Sequence, residues 1–353
     1  MLTRSPSILP KGYTGDSMSR QRQDPARARA RRDRIRSEKH ADPAGTPPAR
    51  DPSLSPAPGR SFATERALRG VRALIEGQSF ESTEDLNARL AELTRGGRIS
   101  ALANSWKQDD PNWRAQELAY DAMEADGPFE ALRLVGEAQK LDPDCTDAQR
   151  LRVSLLPMEL DNRIQLMRKV VDKAERNLGA AFFKENMGHF WEELSTRPYM
   201  RAEQHLATLL TAADRPEEAM VVYERMLELN PNDNQGIRYL LLSLHLAMKR
   251  PQAAGDLISS YPDEEEYSAL FAWGRVLERW LSGQLADAES ALERARNVNP
   301  FAEPYLAGTR RLPQKIPTSY RPGDDSEAQV TACELSEAWT RLPDFRKWLR
   351  ARR

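Results

Sequence analysis

Two cysteines, four histidines and no long apolar run set the first limits on this chain of 353 residues. Cys145 and Cys333 lie far apart without a second pair, so neither a disulfide framework nor a four-ligand zinc site can be built from them. A reduced, cytoplasmic setting is the expectation. The most apolar stretch, Leu240 to Met248, is broken by Ser243 and His245 and is too short to span a bilayer. The opening MLTRSPSILPKGY has no apolar run of signal-peptide length, and Asp16, Asp24 and Asp33 argue against a transit peptide. Glycine-rich phosphate loops and a serine-nucleophile elbow are missing. His40 stands in the basic N-terminal stretch, and His189, His205 and His245 have no metal-ligand spacing around them. Acid runs such as Asp263 to Glu266 read as solvated helix starts rather than paired general acids and bases. The sequence therefore predicts no catalytic residue, no metal, no cofactor and no membrane partner.

What the chain does have is unevenly distributed. Its 52 basic and 53 acidic residues nearly cancel. Residues 1–60 nevertheless carry 13 Lys or Arg against 6 Asp or Glu, leaving −8 on residues 61–353. Nine of the 24 prolines also fall in those sixty positions. The run SRQRQDPARARARRDRIR and the proline-rich ADPAGTPPARDPSLSPAPG cannot bury enough surface to offset ordering, so residues 1–60 are expected to be a disordered tail. Such an arm can neutralise nucleic-acid phosphates, or it can be a plain solvated extension; no aromatic residues interleave with the arginines to stack on bases.

From Phe62 onward apolar residues recur at helical spacing, and strand-like alternation is absent. A first helix is predicted over residues 64–76, with Leu68, Val71, Leu74 and Ile75 on one face. Ser82-Thr83-Glu84-Asp85 opens a second with the makings of a capping box, and Gly96-Gly97 ends it. Pro143, Pro231 and Pro300 each follow a hydrophobic helix and an Asn or Asp, a combination that stops helices. Counting back from them gives matching residues at matching offsets: Ala119, Ala131, Val135 and Ala138; Ala207, Ala219, Tyr223 and Met226; Val276, Ala288, Leu292 and Ala295. Alanine lets paired helices approach closely, and the large residue four later fills the space between neighbouring repeats. Degenerate units occupy residues 146–180 and 234–262. The spacing of about 34 residues per helix pair predicts an all-α helical-repeat solenoid. Capping helices are expected over 61–110, repeats over 111–310, and a linker with a capping helix over 311–353.

These repeats resemble the tetratricopeptide-repeat superfamily. Gly188-His189-Phe190-Trp191, Thr196-Arg197-Pro198-Tyr199-Met200-Arg201-Ala202 and Asn230-Pro231-Asn232-Asp233-Asn234-Gln235-Gly236-Ile237-Arg238-Tyr239 are similar to motifs that recur together in a group of bacterial tetratricopeptide proteins. Asn299-Pro300, Pro304-Tyr305-Leu306, Gly323-Asp324 and Ser326-Glu327-Ala328 are similar to the C-terminal region of the suppression-of-tumorigenicity family. Phe301 stands where that family has His, and Phe345-Arg346-Lys347 where it has Gly-Ala, so no ligand role carries over to this corner. The resemblance implies an interaction scaffold and brings no catalytic residues.

In such a solenoid the first helix of each pair lines an inner groove. The repeat register places Trp113, Gln116, Tyr120 and Met123 there, followed by Arg201, Gln204 and Thr208. Gln235, Arg238, Leu242 and His245 come next, then Leu270, Trp273, Leu277 and Trp280. Arg201 with Gln235, and Gln204 with Arg238, are expected to form a polar patch flanked by Arg197 and Tyr199, suited to a carboxylate. The same residues can instead brace the turn before Pro198. Trp113, Trp273 and Trp280 are candidate aromatic anchors or inter-helix packing. Gln116 and Tyr120 do not match the Lys/Asn carboxylate clamp of chaperone-binding relatives. The expected partner is another protein, presenting a peptide or helix, with nucleic acid reachable through the tail only; an accessory subunit of an enzyme encoded elsewhere is the further alternative.

Overall fold

The computed structural model describes residues 62–76, 78–94, 107, 109–317 and 319–353. The expected tail over 1–60 and the Gly96-Gly97 stop lie outside them. Among the described residues every regular element is helical. The order begins with α1 (Ala63–Ile75), α2 (Thr83–Thr94), α3 (Pro111–Glu124), α4 (Pro128–Leu141), α5 (Thr146–Leu155), α6 (Leu160–Leu178) and the short α7 (Ala180–Glu185). After a 3-10 turn at Leu194–Thr196 come α8 (Arg197–Ala212), α9 (Pro216–Leu229), α10 (Ile237–Ala247), α11 (Pro251–Ser260) and α12 (Glu264–Tyr267). The chain closes with α13 (Ala269–Leu281), α14 (Leu285–Val298), α15 (Ala302–Leu306), α16 (Asp325–Glu334), α17 (Ser336–Thr340) and α18 (Pro343–Arg350).

Local chemistry explains these boundaries. Proline opens α3, α4, α9, α11 and α18, where its missing N–H costs nothing. Helices α4, α9 and α14 stop two residues before Pro143, Pro231 and Pro300, with Asp142, Asn230 and Asn299 as C-caps. At α2 the Asp85 amide donates to Ser82 Oγ at 3.1 Å, and the Asp85 carboxylate accepts from the Glu81 amide at 3.3 Å. The exchange is that of a capping box with its return arm one residue further out.

The pairs α3–α4, α8–α9 and α13–α14 pack most closely, and the next pair follows each in sequence. Their small residues make this possible: Ala119, Ala131, Ala138, Ala207, Ala219, Ala288 and Ala295 are all buried. Val135, Tyr223 and Leu292, four residues beyond Ala131, Ala219 and Ala288, are buried as well and fill the spaces between repeats. Burying a side chain of that size contributes about 1.5–3 kcal/mol. At Gly274 a Cβ would come within 3.1 Å of Leu242 Cδ2, so the missing side chain sets how near α13 lies to α10. One apolar cluster runs from Val153 to Leu349; a second, smaller one spans Ala115 to Leu151.

Helices on either side of the repeats cover the inner face. Helix α17 packs on α10 and α16 on α13. Phe345 meets the ring of Trp280 at 5.4 Å, and Trp339, Phe345 and Leu349 are buried. A buried carboxylate locks this corner: Glu327 accepts from the Ala269 amide at 3.0 Å, the Gly323 amide at 2.7 Å and Asn299 Nδ2 at 2.9 Å. Asn299 O in turn receives Trp273 Nε1 at 3.1 Å. The Asn299-Pro300 and Gly323 to Ala328 motifs thus tie the C-terminal helices to the last repeat. Replacing Glu327 by alanine takes the acceptor from the Ala269 and Gly323 amides and leaves Asn299 Nδ2 with Asp324 O alone, and is expected to cost about 2–4 kcal/mol. The lowered midpoint in urea unfolding, at unchanged slope, is the measurement that checks it.

Candidate partner-binding site

Helix α3 offers one face to the inner side, with Trp113, Gln116, Glu117, Tyr120, Asp121 and Glu124 at three- and four-residue steps. Helix α8 adds Arg197 and Arg201, one turn apart. The first turn of α5 adds Asp147, which is fully buried. These three helices converge on the Arg201 guanidinium. Arg201 Nε donates to Asp147 Oδ1 at 2.9 Å and Nη2 to Oδ2 at 2.5 Å. Gln116 Nε2 adds a third bond to Asp147 at 2.8 Å, and Arg150 Nε stands 3.4 Å away. Burial pushes the Asp147 carboxyl up, but the Arg201 charge and hydrogen bonds outweigh it and hold it down at about 2. Burial likewise disfavours charge on Arg201, and Asp147 and Glu65 reverse this, raising it above the ordinary guanidinium range.

The remaining edge of Arg201 is occupied by α1. Glu65 accepts from Arg201 Nη1 at 3.0 Å and from Tyr120 Oη at 2.7 Å, with Arg197 Nη1 at 3.6 Å. The Phe62 ring stacks on Tyr120 at 5.1 Å. Arg66 donates to Glu117 and Asp121, both at 2.6 Å. Arg69 pairs with Glu117 and lies over the Trp113 ring at 4.1 Å. Beside this helix an open pocket of about 390 Å³ remains, lined by Arg69, Arg72, Lys107, Trp113, Gln116 and Pro198 among others.

Three of the expected groove residues, Trp113, Tyr120 and Arg201, therefore meet around α1, with Arg197 at their edge. The wider polar patch does not form as one unit. Gln235 Nε2 does donate to Gln204 Oε1 at 2.9 Å. Arg238 turns instead to Asp233 at 2.9 Å and Glu264 at 2.7 Å, and lies over Tyr239 at 4.5 Å. Asp233 also caps α10 by accepting from the Ile237 and Arg238 amides at 2.7 and 2.8 Å. Gly236, at φ +73, permits the left-handed turn between them. Tyr199 points away from the groove: it is buried against Phe183 and Phe190 and donates to Glu203 at 2.5 Å. Arg197 donates Nε to Trp191 O at 3.0 Å. Trp273 is core, and Trp280 is half-buried under Phe345. Met123, Leu242, His245, Leu270 and Leu277 are buried as well.

Glu65, Asp147 and Glu117 carry the site and were not expected from the sequence. Leu68, Val71, Leu74 and Ile75 suggested an apolar face for α1; Leu74 is buried, Val71 and Ile75 are half-buried and Leu68 is exposed, while Glu65 and Gly70 are the other buried residues of that helix. The available signal was Asp147 three residues before Arg150, an i,i+3 pair in a helix's first turn. Among the described residues no group of His, Cys, Asp and Glu is arranged to hold a metal ion. His205 sits 3.3 Å from Ser154 Oγ, and His245 is buried beside Glu224 at 4.0 Å.

Two predictions follow from this electrostatics. Arg201→Met leaves Asp147 and Glu65 without their shared cation and is expected to cost about 3–5 kcal/mol, read in urea unfolding at pH 7. The second concerns pH. Burial, helped by nearby arginines, holds His205 down at about 3 and His245 at about 4, against an ordinary 6.5. Below pH 6.5 both rings stay neutral in the folded chain and protonate on unfolding, so their contribution is full above pH 6.5 and drains as the pH falls toward 4 for His245 and 3 for His205. Asp147 adds a loss in the same direction between its ordinary 3.8 and about 2. The unfolding midpoint is expected to drop between pH 7 and 5, and His205→Gln should flatten that drop.

No curated protein matches the chain significantly. Among the described residues no helix is long and apolar enough to cross a membrane. Residues 210–272, from the end of α8 into α13, match the family described as Tetratricopeptide repeat. That match, on a helix-pair fold, supports placing the chain in the tetratricopeptide superfamily.

Proposed function

We propose that the chain is a non-enzymatic, cytoplasmic protein-interaction scaffold whose inner face takes a peptide or a helix from a partner protein. The tetratricopeptide match and the helical-repeat fold support an interaction scaffold in general. One observation supports the mode: the inner-face residues of α3 and α8 already hold a helix, α1, through Tyr120, Trp113 and Arg201. Helix-in-groove recognition of this kind is a recurring mode of peptide capture. Kinship with the bacterial group carrying the GHFW, TRPYMRA and NPNDNQGIRY motifs, and with the suppression-of-tumorigenicity family at the C-terminus, belongs to the same proposal.

A photoreactive residue placed in the full chain tests the surface. Asn112, exposed beside Trp113, and Thr208, on the inner side of α8, are the two inner positions; Val221, exposed at 64% on α9, is the control. In an extract of the native host, discrete partner crosslinks are expected from Asn112 or Thr208 and not from Val221. Crosslinks from Val221 alone would move the interaction surface to the opposite side.

A further inference from the structure

Helix α1 is held differently from the rest of the fold. Its buried residues are Glu65, Gly70 and Leu74 only, and its bonds to the body are dominated by charge. The C-terminal helices, by contrast, enter the main apolar cluster through Trp339, Phe345 and Leu349. Release of α1 would expose Leu74 and uncover the Tyr120 ring under Phe62, fewer apolar side chains than the C-terminal helices bury.

The cradle under α1 is unbalanced without it. Glu65 and Asp147 together face Arg201, Arg197 and Arg150. Remove Glu65 and Arg197 loses its carboxylate while Arg201 keeps only Asp147. Water screens such a site poorly, so it demands a second carboxylate. Tyr120 Oη and the free edge of Arg201 fix where that carboxylate sits. One helical turn back, the Tyr120 ring offers a stacking face to an aromatic, as it does to Phe62. Forward of it, Glu117, Asp121 and Glu124 form an acidic stripe for a cation at the next position, and Glu117 with the Trp113 ring takes another one turn on. The cradle reads a helix with the pattern aromatic-x-x-Glu-Arg-x-x-Arg, which Phe62, Glu65, Arg66 and Arg69 supply in cis.

We propose that this cradle is an exchangeable binding site for partner helices of that pattern, and that α1 is its resident occupant. The inference rests on the inner-face reading above and names its ligand. A tethered occupant competes at an effective concentration on the order of millimolar, so a partner in trans meets a reduced apparent affinity until α1 is displaced. An isolated helix of this length is marginal in water and pays an ordering cost on binding. The ratio between variants is therefore the informative quantity.

The probe is a fluorescein-labelled synthetic peptide of residues 62–76, followed by anisotropy against the full chain. One variant, Phe62→Ala/Glu65→Ala/Arg69→Ala, unseats α1; a second, Arg66→Glu, breaks the outer pairs to Glu117, Asp121 and Glu124 and the contact with the Tyr120 ring. The peptide is expected to bind the unseated chain at least tenfold tighter than the unaltered chain. A Glu65→Gln peptide should lose at least tenfold, and added salt should weaken binding. If the triple variant fails to melt cooperatively, the same comparison is read on Arg66→Glu. Equal binding to altered and unaltered chains, no binding to a folded unseated chain, or indifference to Glu65→Gln would each overturn the proposal. None of these outcomes touches the crosslinks at Thr208, so failure of the cradle and failure of the inner-face reading remain separable.

Discussion

The Arg201 guanidinium, clamped between Asp147 and Glu65, joins three helices that are far apart in sequence. Asp147 lies in the first turn of α5, Arg201 rises from the second turn of α8, and Glu65 belongs to a helix that precedes all the repeats. Each N–H edge of the guanidinium has one geometry that satisfies it, so the ion triad fixes how these helices meet in a way apolar packing alone would not. Buried ion pairs of this sort add little net stability, because desolvation offsets most of the attraction. Their effect is asymmetric: a complete triad is nearly neutral, whereas an incomplete one is costly. The N-terminal half therefore accepts arrangements that deliver a carboxylate to Arg201 and resists those that do not.

The repeats were legible because their signal is local. Ala219 and Tyr223 are four residues apart on one helix, and Asn230 with Pro231 terminates it within two; a reader of residues 206–231 needs nothing from elsewhere. The site was less legible because its partners are remote. Arg201 bonds to residues 54 and 136 positions away, and no periodicity connects them. Tyr199 looked like a groove residue because it lies close to Arg201 in sequence, yet two positions of helix rotate its ring into the Phe183 and Phe190 cluster. Arg238 looked free for the same reason, until Asp233 and Glu264 closed on it. The long motifs read correctly as departures from a plain repeat. Asp233, Gly236 and Arg238 form a helix cap with its own brace, and Thr196 and Arg197 bond back to the carbonyls of Phe190 and Trp191.

The inner face is covered twice, by unlike means, and the difference bears on function. At the C-terminal end Trp339, Phe345 and Leu349 are buried, and Glu327 satisfies three donors in the interior. Opening that corner exposes aromatic surface and leaves buried polar groups unpaired together, two penalties that add. At the N-terminal end α1 rests on ion pairs with partly exposed edges, such as Arg66 with Asp121. Charges released there are taken up by water, and salt weakens the attraction that must be broken. A surface that must admit a partner is better closed by the second kind of contact than by the first. The Glu65 carboxylate is the exception within that polar interface, because its departure takes the carboxylate from Arg197 and leaves Arg201 with Asp147 alone. Opening is thus inexpensive along the rim and costly at one point. The least costly way to open the cradle is to bring another carboxylate to that point as Glu65 leaves, which couples release of the resident helix to arrival of its replacement.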